Sequence, residues 1–139
     1  MNVIRFLQRK TDCSVLYDYK TVRQALRFMR GHGKQEMPLV SHEGFYCGVV
    51  REGDLLWHLL DHGGYEAVKD DTLGSFVEKY NLPALKITAD DEELKRASMR
   101  CSFVPIVDDR GVFVGTVDSR DIVQHFVDEA RRSRPSVTA

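Results

Sequence analysis

The sequence predicts an α+β (α/β) fold in which one βαββα unit occurs twice within a single compact domain. The first observation is internal repetition, because three anchor residues recur at one constant offset. They are Pro38, Gly48 and Asp54 in the first copy and Pro105, Gly115 and Asp121 in the second (105−38 = 115−48 = 121−54 = 67). The second observation is that each copy combines helical and strand periodicity. A length of 139 residues suits one domain of this kind.

The residues around the anchors repeat as well. Residues 37–40 (Met-Pro-Leu-Val) match residues 104–107 (Val-Pro-Ile-Val), and residues 48–55 match residues 115–122 in their apolar positions. Repetition of this kind predicts two supersecondary units that bury their apolar faces against each other, with pockets at the seam between them.

In the first copy, residues 14–17 have the pattern of an extended strand. Thr21 is a candidate N-cap, and the apolar residues after it follow the i, i+3, i+4, i+7 spacing of an amphipathic helix that ends at Gly31 and Gly33. Residues 38–40 and 45–50 form a predicted hairpin. Asp54 is then expected to cap a helix that ends at the glycine pair 63–64.

The second copy repeats this order. Residues 85–87 are extended, and Asp90 or Asp91 caps a helix. Residues 103–107 and 112–117 pair as a hairpin, and Asp121 caps a final helix over residues 122–127. The first helix of this copy aligns with its counterpart only if two residues are deleted before Phe103.

These patterns predict four segments. Residues 1–64 contain an N-terminal segment and the first motif, residues 65–84 form a connector with a short helix around 73–80, and residues 85–128 contain the second motif. Residues 129–139 are expected to form a flexible tail, because the polar, arginine-rich ending shows no apolar periodicity.

Composition excludes several classes of partner. Lys and Arg number 20 and Asp and Glu number 21, and this net charge of −1 argues against a nucleic-acid-binding protein. No apolar run approaches the roughly 20 residues of a membrane span, and the first ten residues do not resemble a signal peptide. Three widely spaced cysteines without a CxxC pair indicate a reducing compartment, so we expect a cytoplasmic protein.

Metal and catalytic sites are not predicted. His58 and His62 stand four apart on one predicted helix, a spacing that can bind metal, but no third ligand is near them in sequence. An exposed helix face explains them better. Catalytic triads, paired catalytic carboxylates and glycine-rich phosphate loops are not recognisable, so we expect no enzyme and no catalytic cofactor.

The repeated pattern resembles the CBS family. In its repeats a hydrophobic-Pro-hydrophobic strand start is followed about ten residues later by a Gly-containing strand end and an Asp-hydrophobic pair that opens a helix. The resemblance covers residues 14–128, and residues 1–3, 16–18 and 23–26 also resemble a short, stand-alone CBS-pair family common in Firmicutes-type bacteria. It implies tandem CBS repeats packed about a pseudo-twofold axis as one Bateman module. Homodimers that form through helices are usual in the family.

The resemblance also implies two clefts that bind adenine nucleotides. Strands line the base, the Asp takes the ribose hydroxyls, and a Thr or Ser with nearby basic residues takes the phosphate. Carried over by position, one cleft would contain Val15, Leu16, Tyr17, Met37, Pro38 and Asp54, and the other Leu85, Lys86, Ile87, Val104, Pro105 and Asp121. A carboxylate at a helix start can accept hydrogen bonds from a vicinal diol, and the unpaired N–H groups beside it suit a phosphate.

The sequence departs from the family where phosphate is bound, because the Thr or Ser position holds Arg51 in the first motif and Asp118 in the second. A carboxylate about 4 Å from a phosphate costs about 4 kcal/mol at an effective dielectric near 20. We therefore expect Arg51 to hold phosphate in the first cleft. The second cleft would hold a nucleoside end, bind through Ser119 and Arg120, or stay empty. We therefore predict one effective nucleotide-binding site instead of two equivalent sites.

The predicted function is a regulatory module that binds an adenine nucleotide (AMP, ADP, ATP or cyclic di-AMP) and signals to a protein partner. The alternative is a structural dimerisation or interaction module without a nucleotide ligand. The sequence leaves open which nucleotide is bound, which cleft holds it, which partner is regulated, and whether a dimer is parallel or antiparallel.

Overall fold

The computed structural model describes residues 1–134 and confirms a βαββα unit that occurs twice. The elements of the first repeat are β2 (Leu16–Tyr17), α2 (Val22–His32), β3 (Glu36–Val40), β4 (Tyr46–Arg51) and α3 (Glu52–Asp61). Those of the second are β5 (Leu85–Lys86), α5 (Asp91–Ser98), β6 (Phe103–Val107), β7 (Phe113–Asp118) and α6 (Ser119–Arg132). The remaining elements are α1 (Val3–Phe6), β1 (Gln8–Arg9), α4 (Tyr65–Val68) and a 3₁₀ turn (Leu73–Ser75).

The two sheets repeat each other in register. One has the order β2-β3-β4 and the other β1-β7-β6-β5, and each combines a parallel pair with an antiparallel hairpin. Pro38 lies opposite Val49, and Pro105 lies opposite Thr116. An irregularity follows Leu39 in one hairpin and Ile106 in the other. Residues 67 positions apart in sequence therefore occupy equivalent positions in the hydrogen-bonded hairpins of the two repeats.

One edge of each repeat's sheet is covered by the segment in front of the other repeat. Strand β1 precedes the first repeat but pairs antiparallel with β7 of the second, with Gln8 opposite Thr116. Asn81 precedes the second repeat, yet its side chain accepts from the N–H of Val49 and donates to the carbonyl of Val49, both at 2.8 Å, on β4. The segment before each repeat thus makes hydrogen bonds to the edge of the other repeat's sheet, and these two edges are here called the exchanged edges.

Glycine is required where these edges approach. A Cβ at Gly115, whose φ is +155°, would overlap the backbone carbonyl oxygen of Gln8. At Gly48, whose φ is +143°, a Cβ would lie 2.7 Å from the side-chain oxygen of Asn81. Both backbones are in a region that side chains rarely adopt, which explains why both anchors are glycine.

The core has one apolar cluster inside each repeat and a third at the seam. Met29, Met37 and Leu55 belong to the first cluster, and Leu94, Ile106 and Ile122 to the second. The seam cluster is made of two equivalent pairs, Val40 with Val107 and Tyr46 with Phe113 (40+67 = 107; 46+67 = 113). Burial of the same positions from both repeats gives the packing its pseudo-twofold character.

The caps of the first helices agree with the sequence. The hydroxyl of Thr21 accepts from the N–H of Gln24 at 3.2 Å, and the carboxylate of Asp90 accepts from the N–H of Glu93 at 2.8 Å. The caps are 69 positions apart (90−21), whereas β3 and β6 start 67 apart (103−36). The two-residue deletion therefore lies before β6, as expected.

The predicted caps of the second helices are wrong. Helices α3 and α6 begin three residues earlier than expected, so Asp54 and Asp121 are the third residue of each helix. The carboxylate of Asp54 accepts from the N–H of Arg51 at 2.8 Å. In α6 the N-cap is Asp118, which accepts from the N–H of Arg120 at 2.8 Å.

Two other segments differ from expectation. The connector contains α4 and the 3₁₀ turn instead of a helix around residues 73–80. Helix α6 continues to Arg132, four residues into the expected tail. The last five residues of that tail, 135–139, lie outside the described residues. Within residues 1–134, no helix combines the length and apolar character that crossing a lipid bilayer requires.

Candidate functional site

A cavity of about 690 Å³, here called the large cavity, opens between the two repeats. Its first wall comes from the segment before β2 and from the start of β3. Its second wall comes from the turn before β6, the end of β7 and the start of α6. The first repeat and the segment before it contribute Gln8, Cys13, Ser14, Lys34, Glu36, Met37 and Pro38, and the second contributes Ser98, Cys101, Ser102, Phe103, Thr116, Asp118, Ser119, Arg120, Val123 and Gln124.

Glu36 joins the two walls. The backbone N–H of Ser102 donates to its carboxylate at 3.0 Å, and the Ser102 hydroxyl donates to the same oxygen. The guanidinium of Arg51 lies 3.5 Å from the other oxygen. Partial burial raises the pKa of Glu36, but these hydrogen bonds and the charge of Arg51 outweigh it, so the pKa lies below its ordinary value of 4.5. The carboxylate of Glu36, at the start of β3, is therefore held in a fixed position.

The start of α6 is polar and ordered. Besides capping the helix, Asp118 pairs with the Arg120 guanidinium at 3.3 Å, and the hydroxyl of Ser119 donates to the carbonyl of Cys101 at 2.6 Å. Partial burial raises the pKa of Asp118, but the hydrogen bonds from Arg120 and the positive charges of Arg120 and Lys34 outweigh it. The pKa therefore lies below its ordinary value of 3.8. Lys34 acts on Asp118 from the opposite repeat.

This arrangement corrects the predicted grouping of residues. Met37 and Pro38 share the large cavity with Ser119 and Arg120 of the other repeat, not with Asp54 of their own. The hydrogen bonds between Ser102 and Glu36 bring the starts of β3 and β6 together, so each strand start faces the opposite repeat. Arg51 instead pairs with Glu36, and neither it nor Asp54 is among the residues that line this cavity.

The predicted second cleft is small. Leu85, Val104 and Pro105 line a cavity of about 150 Å³ together with Leu82 and Pro83, here called the small cavity. Of the other residues assigned to this cleft, Lys86 points outward and lies 3.7 Å from Asp109, and Ile87 packs against the second core cluster.

The remaining predicted residues line two neighbouring depressions. Val15, Leu16 and Tyr17 line a groove of about 510 Å³ against α2, and this groove adjoins the large cavity at Cys13 and Ser14, which line both. Asp121 lines a cavity of about 320 Å³ that also contains Asn2 and Arg5. Gln124 lines both this cavity and the large one, whereas Asp121 is not among the residues that line the large cavity with Met37.

Comparison with known families decides the identity of the repeats. The family model of the CBS domain matches residues 10–61 and 77–128, which together make up most of the chain. The chain belongs to the CBS-domain family. The matched segments coincide with the two βαββα units and their leading loops, so the repeats are CBS repeats.

Solved CBS-pair structures share this fold across nearly the whole chain. The CbpB protein of Listeria monocytogenes, solved in complex with c-di-AMP, superposes with a TM-score of 0.82 at 15% identity, covering 96% of this chain and 100% of that one. A CBS domain protein of Streptococcus pneumoniae gives 0.80 at 20% identity, covering 94% and 88%. CBSX2 of Arabidopsis thaliana, solved in complex with AMP, gives 0.71 at 18%, covering 94% and 98%. No match was found among curated proteins.

Several residues of the CBS seam escaped the sequence analysis. Lys34, Glu36 and Ser102 line the large cavity, but Lys34 and Ser102 lie just before a strand, Glu36 is the first residue of β3, and none of them is a repeated anchor. One signal was available for Glu36, because it is a lone carboxylate two residues before Pro38 in an apolar strand. Nothing in the sequence indicated that Ser102 faces it, since the two residues are 66 positions apart.

The histidine pair on α3 has a structural explanation. The ring of His58 stacks on Phe76 with centroids 3.7 Å apart and planes 5° apart, and it lies 2.9 Å from a carboxylate oxygen of Asp71. His62 contacts the backbone carbonyl of His58 at 3.1 Å. Among residues 1–134, no group of three or more His, Cys, Asp or Glu side chains is placed to hold a metal ion.

Proposed function

We propose that this CBS pair is a regulatory module that binds an adenine nucleotide in the large cavity and signals its presence to a protein partner. The observation behind the proposal is the volume and composition of that cavity. At about 690 Å³ it falls within the range of roughly 300–1,000 Å³ typical of small-molecule sites, whereas the small cavity, at about 150 Å³, falls below it. We therefore expect one occupied cleft.

The lining suits the two ends of a nucleotide. Met37 and Pro38 offer an apolar surface to a base, and strand-edge backbone groups can pair with its polar edge. The opposite wall presents the N-terminus of the 14-residue helix α6, with Ser119 and Arg120. Unpaired N–H groups and a partial positive charge at such a helix start favour a phosphate.

Related folds support the ligand class. CBSX2 was solved with AMP and the CbpB protein with c-di-AMP. At 18% and 15% identity these proteins share the fold with our chain, and the choice among AMP, ADP, ATP and cyclic di-AMP rests on experiment.

The position of the cavity suggests how a signal would arise. Its walls come from different repeats, and Glu36 and Ser102 join them. A ligand that contacts both walls stabilises one arrangement of the seam over others, and a partner that distinguishes those arrangements responds to the ligand. The module itself needs no catalytic step, so we expect incubation with each nucleotide to leave it chemically unchanged.

Titration calorimetry of the full chain with AMP, ADP, ATP and cyclic di-AMP tests the proposal. Arg120→Ala should weaken binding of the preferred ligand about tenfold, as expected for loss of a charge-assisted contact. Arg110→Ala is the matched control, because Arg110 pairs with Asp108 at 3.4 Å in the same Asp-x-Arg geometry but lies outside the cavity. Absence of binding by all four ligands at millimolar concentration would contradict the proposal.

A second candidate function is association with another copy of this chain. Helices α3 and α6 expose apolar side chains at equivalent positions, Leu56 with Val123 and Leu60 with Val127 (56+67 = 123; 60+67 = 127), and Val123 also lines the large cavity. Trp57 of α3 is also exposed, at 61%. Exposed apolar patches of this kind mark association sites, and two equivalent helices give a surface that can meet itself about a twofold axis.

Sedimentation of Leu60→Glu tests this association. We expect wild type to sediment as a dimer and the variant as a monomer. Met99→Glu is the control, since Met99 is 86% exposed at the C-terminal end of α5 and belongs to neither α3 nor α6. Monomeric wild type at high micromolar concentration would exclude the candidate function. Homodimerisation is compatible with nucleotide sensing, and the module acts by association alone only if no nucleotide binds.

A further inference from the structure

We infer that the large cavity selects adenine ligands with a single phosphate per adenosine and rejects nucleoside di- and triphosphates, and that Glu36 and Asp118 are the residues that set this selectivity. The inference deepens the proposed function and rests on it. Its basis is the pair of fixed carboxylates that face the cavity from opposite repeats.

Glu36 cannot turn away from the cavity easily. Two hydrogen bonds from Ser102 and the guanidinium of Arg51 hold its carboxylate, and its side chain is only 22% exposed. Rotation of the carboxylate would break contacts with both repeats at once. A ligand in the cavity therefore meets this negative charge in one defined place.

Asp118 is anchored on the other wall by local contacts, with its side chain 41% exposed. One oxygen caps α6 through the N–H of Arg120 at 2.8 Å, and the other pairs with the Arg120 guanidinium at 3.3 Å. This pairing has a second effect, because it neutralises part of the positive charge that Arg120 offers to a ligand. The start of α6 is thus a weaker anion site than a neutral cap would make it.

The formal charges of the side chains that line the cavity sum to zero. Lys34 and Arg120 are positive, and Glu36 and Asp118 are negative. A single phosphate can be balanced by Arg120 and the helix start. Each further phosphate adds negative charge near two carboxylates, and among the described residues that line the cavity it finds only one more cation, Lys34.

The acidic pair belongs to this cavity alone. In the repeat relation, the counterpart of Glu36 is Phe103 and the counterpart of Asp118 is Arg51 (36+67 = 103; 118−67 = 51). Neither counterpart is acidic, so the fold does not require carboxylates at these positions. Besides their structural contacts, Glu36 and Asp118 place two negative charges on facing walls where a ligand would bind.

The test compares AMP, cyclic di-AMP, ADP and ATP by titration calorimetry of the full chain, in EDTA so that ATP keeps its full charge. In wild type we expect AMP or cyclic di-AMP to bind at least tenfold more tightly than ATP. Asp118→Ser removes the charge and keeps an N-cap, and Glu36→Gln removes the charge and keeps an acceptor for Ser102. In each variant, the ratio of the dissociation constant for ATP to that for AMP or cyclic di-AMP should fall at least threefold.

Asp108→Ser is the matched control. Asp108 accepts from the N–H of Arg110 at 2.8 Å and pairs with its guanidinium at 3.4 Å, in the same local geometry as Asp118, but it lies in the turn between β6 and β7 outside the cavity. The preference for AMP over ATP should be unchanged in this variant. Melting curves establish that each variant is folded, and Asp118→Asn replaces Asp118→Ser if the latter unfolds.

The outcomes separate the two proposals. If none of the four ligands binds, the proposed function fails and the selectivity falls with it. If AMP binds but ATP binds equally well, or if the preference persists in both Glu36→Gln and Asp118→Ser, the function stands and the role of the carboxylates is wrong.

Discussion

The two CBS repeats share their registers, irregularities and glycine anchors, yet the cavities lined by the equivalent starts of β3 and β6 differ more than fourfold in volume, at about 690 and 150 Å³. The difference begins in the loops that precede each repeat. Cys13 and Ser14 line the large cavity, and their counterparts are Leu82 and Pro83 (82−13 = 83−14 = 69). The bulkier pair reduces the small cavity. A duplicated backbone can therefore leave one cleft open and fill the other by changing a few side chains.

A single hydroxyl reinforces the difference. The Tyr46 hydroxyl donates to the carbonyl of Leu82, which draws the loop onto the seam core. The counterpart of Tyr46 is Phe113, which has no hydroxyl to offer to the loop at Cys13. Burial of its phenol raises the pKa of Tyr46 far above its ordinary value of 10, so the group donates at all physiological pH values. One loop is fastened by a buried hydrogen bond, and the other lacks that bond.

The largest expected effect compares the two exchanged edges. Gly115→Ala should lower the free energy of unfolding by about 3–5 kcal/mol, because the new Cβ overlaps backbone of β1 at a positive φ. Gly48→Ala should cost about 1–3 kcal/mol, since the side chain of Asn81 can move aside. Urea denaturation measures both. Equal losses would show that the two edges are fastened alike.

The next test exchanges the loop residues. Leu82→Cys should cost about 2 kcal/mol of unfolding free energy by leaving a void, without creating a nucleotide site. Cys13→Leu should fill part of the large cavity and weaken nucleotide binding about tenfold, which corresponds to about 1.4 kcal/mol. Calorimetry and denaturation together report both. Nucleotide binding that survives Cys13→Leu unchanged would place the ligand elsewhere.

A smaller effect is expected from the hydroxyl itself. Tyr46→Phe should lower stability by about 1–2 kcal/mol, because the buried carbonyl of Leu82 loses its partner. Tyr19→Phe serves as the control, since Tyr19 is half exposed and should change stability by less than about 0.5 kcal/mol. A loss for Tyr46→Phe no greater than for the control would show that the loop is held by packing alone.

The smallest effect depends on pH. Because the pKa of Glu36 is lowered in the folded chain, its stabilisation is present above the ordinary value of 4.5 and is lost as pH falls through the folded value. The free energy of unfolding of wild type should exceed that of Glu36→Gln by less than about 1 kcal/mol at pH 7, and the difference should shrink as the pH falls below 4.5. Urea midpoints at intervals between these values measure it. A difference that grows on acidification would reverse the sign assigned here.

The sequence was sufficient for the fold but not for the composition of the site. Repeated anchors such as Pro38 and Pro105 predict the two hairpins, because the hydrogen bonds of each hairpin join residues close in sequence. Which wall faces which depends on contacts between residues distant in sequence, such as Glu36 with Ser102. Strand β1 has only two residues and no periodicity, so nothing marked it as an edge of the second sheet. Helix starts were misplaced because Asp118 and Asp121 are both acceptable caps.

The exchanged edges also determine how the molecule comes apart. Each repeat is held by the segment that precedes the other one in sequence. Strand β1 pairs with β7 of the second repeat, and the side chain of Asn81 hydrogen bonds to β4 of the first. Neither half can unfold alone without stripping hydrogen bonds from its neighbour, so both should melt in one cooperative step. For the same reason, cleavage of the backbone in the exposed turn at Gly63 would yield two fragments that remain associated with each other.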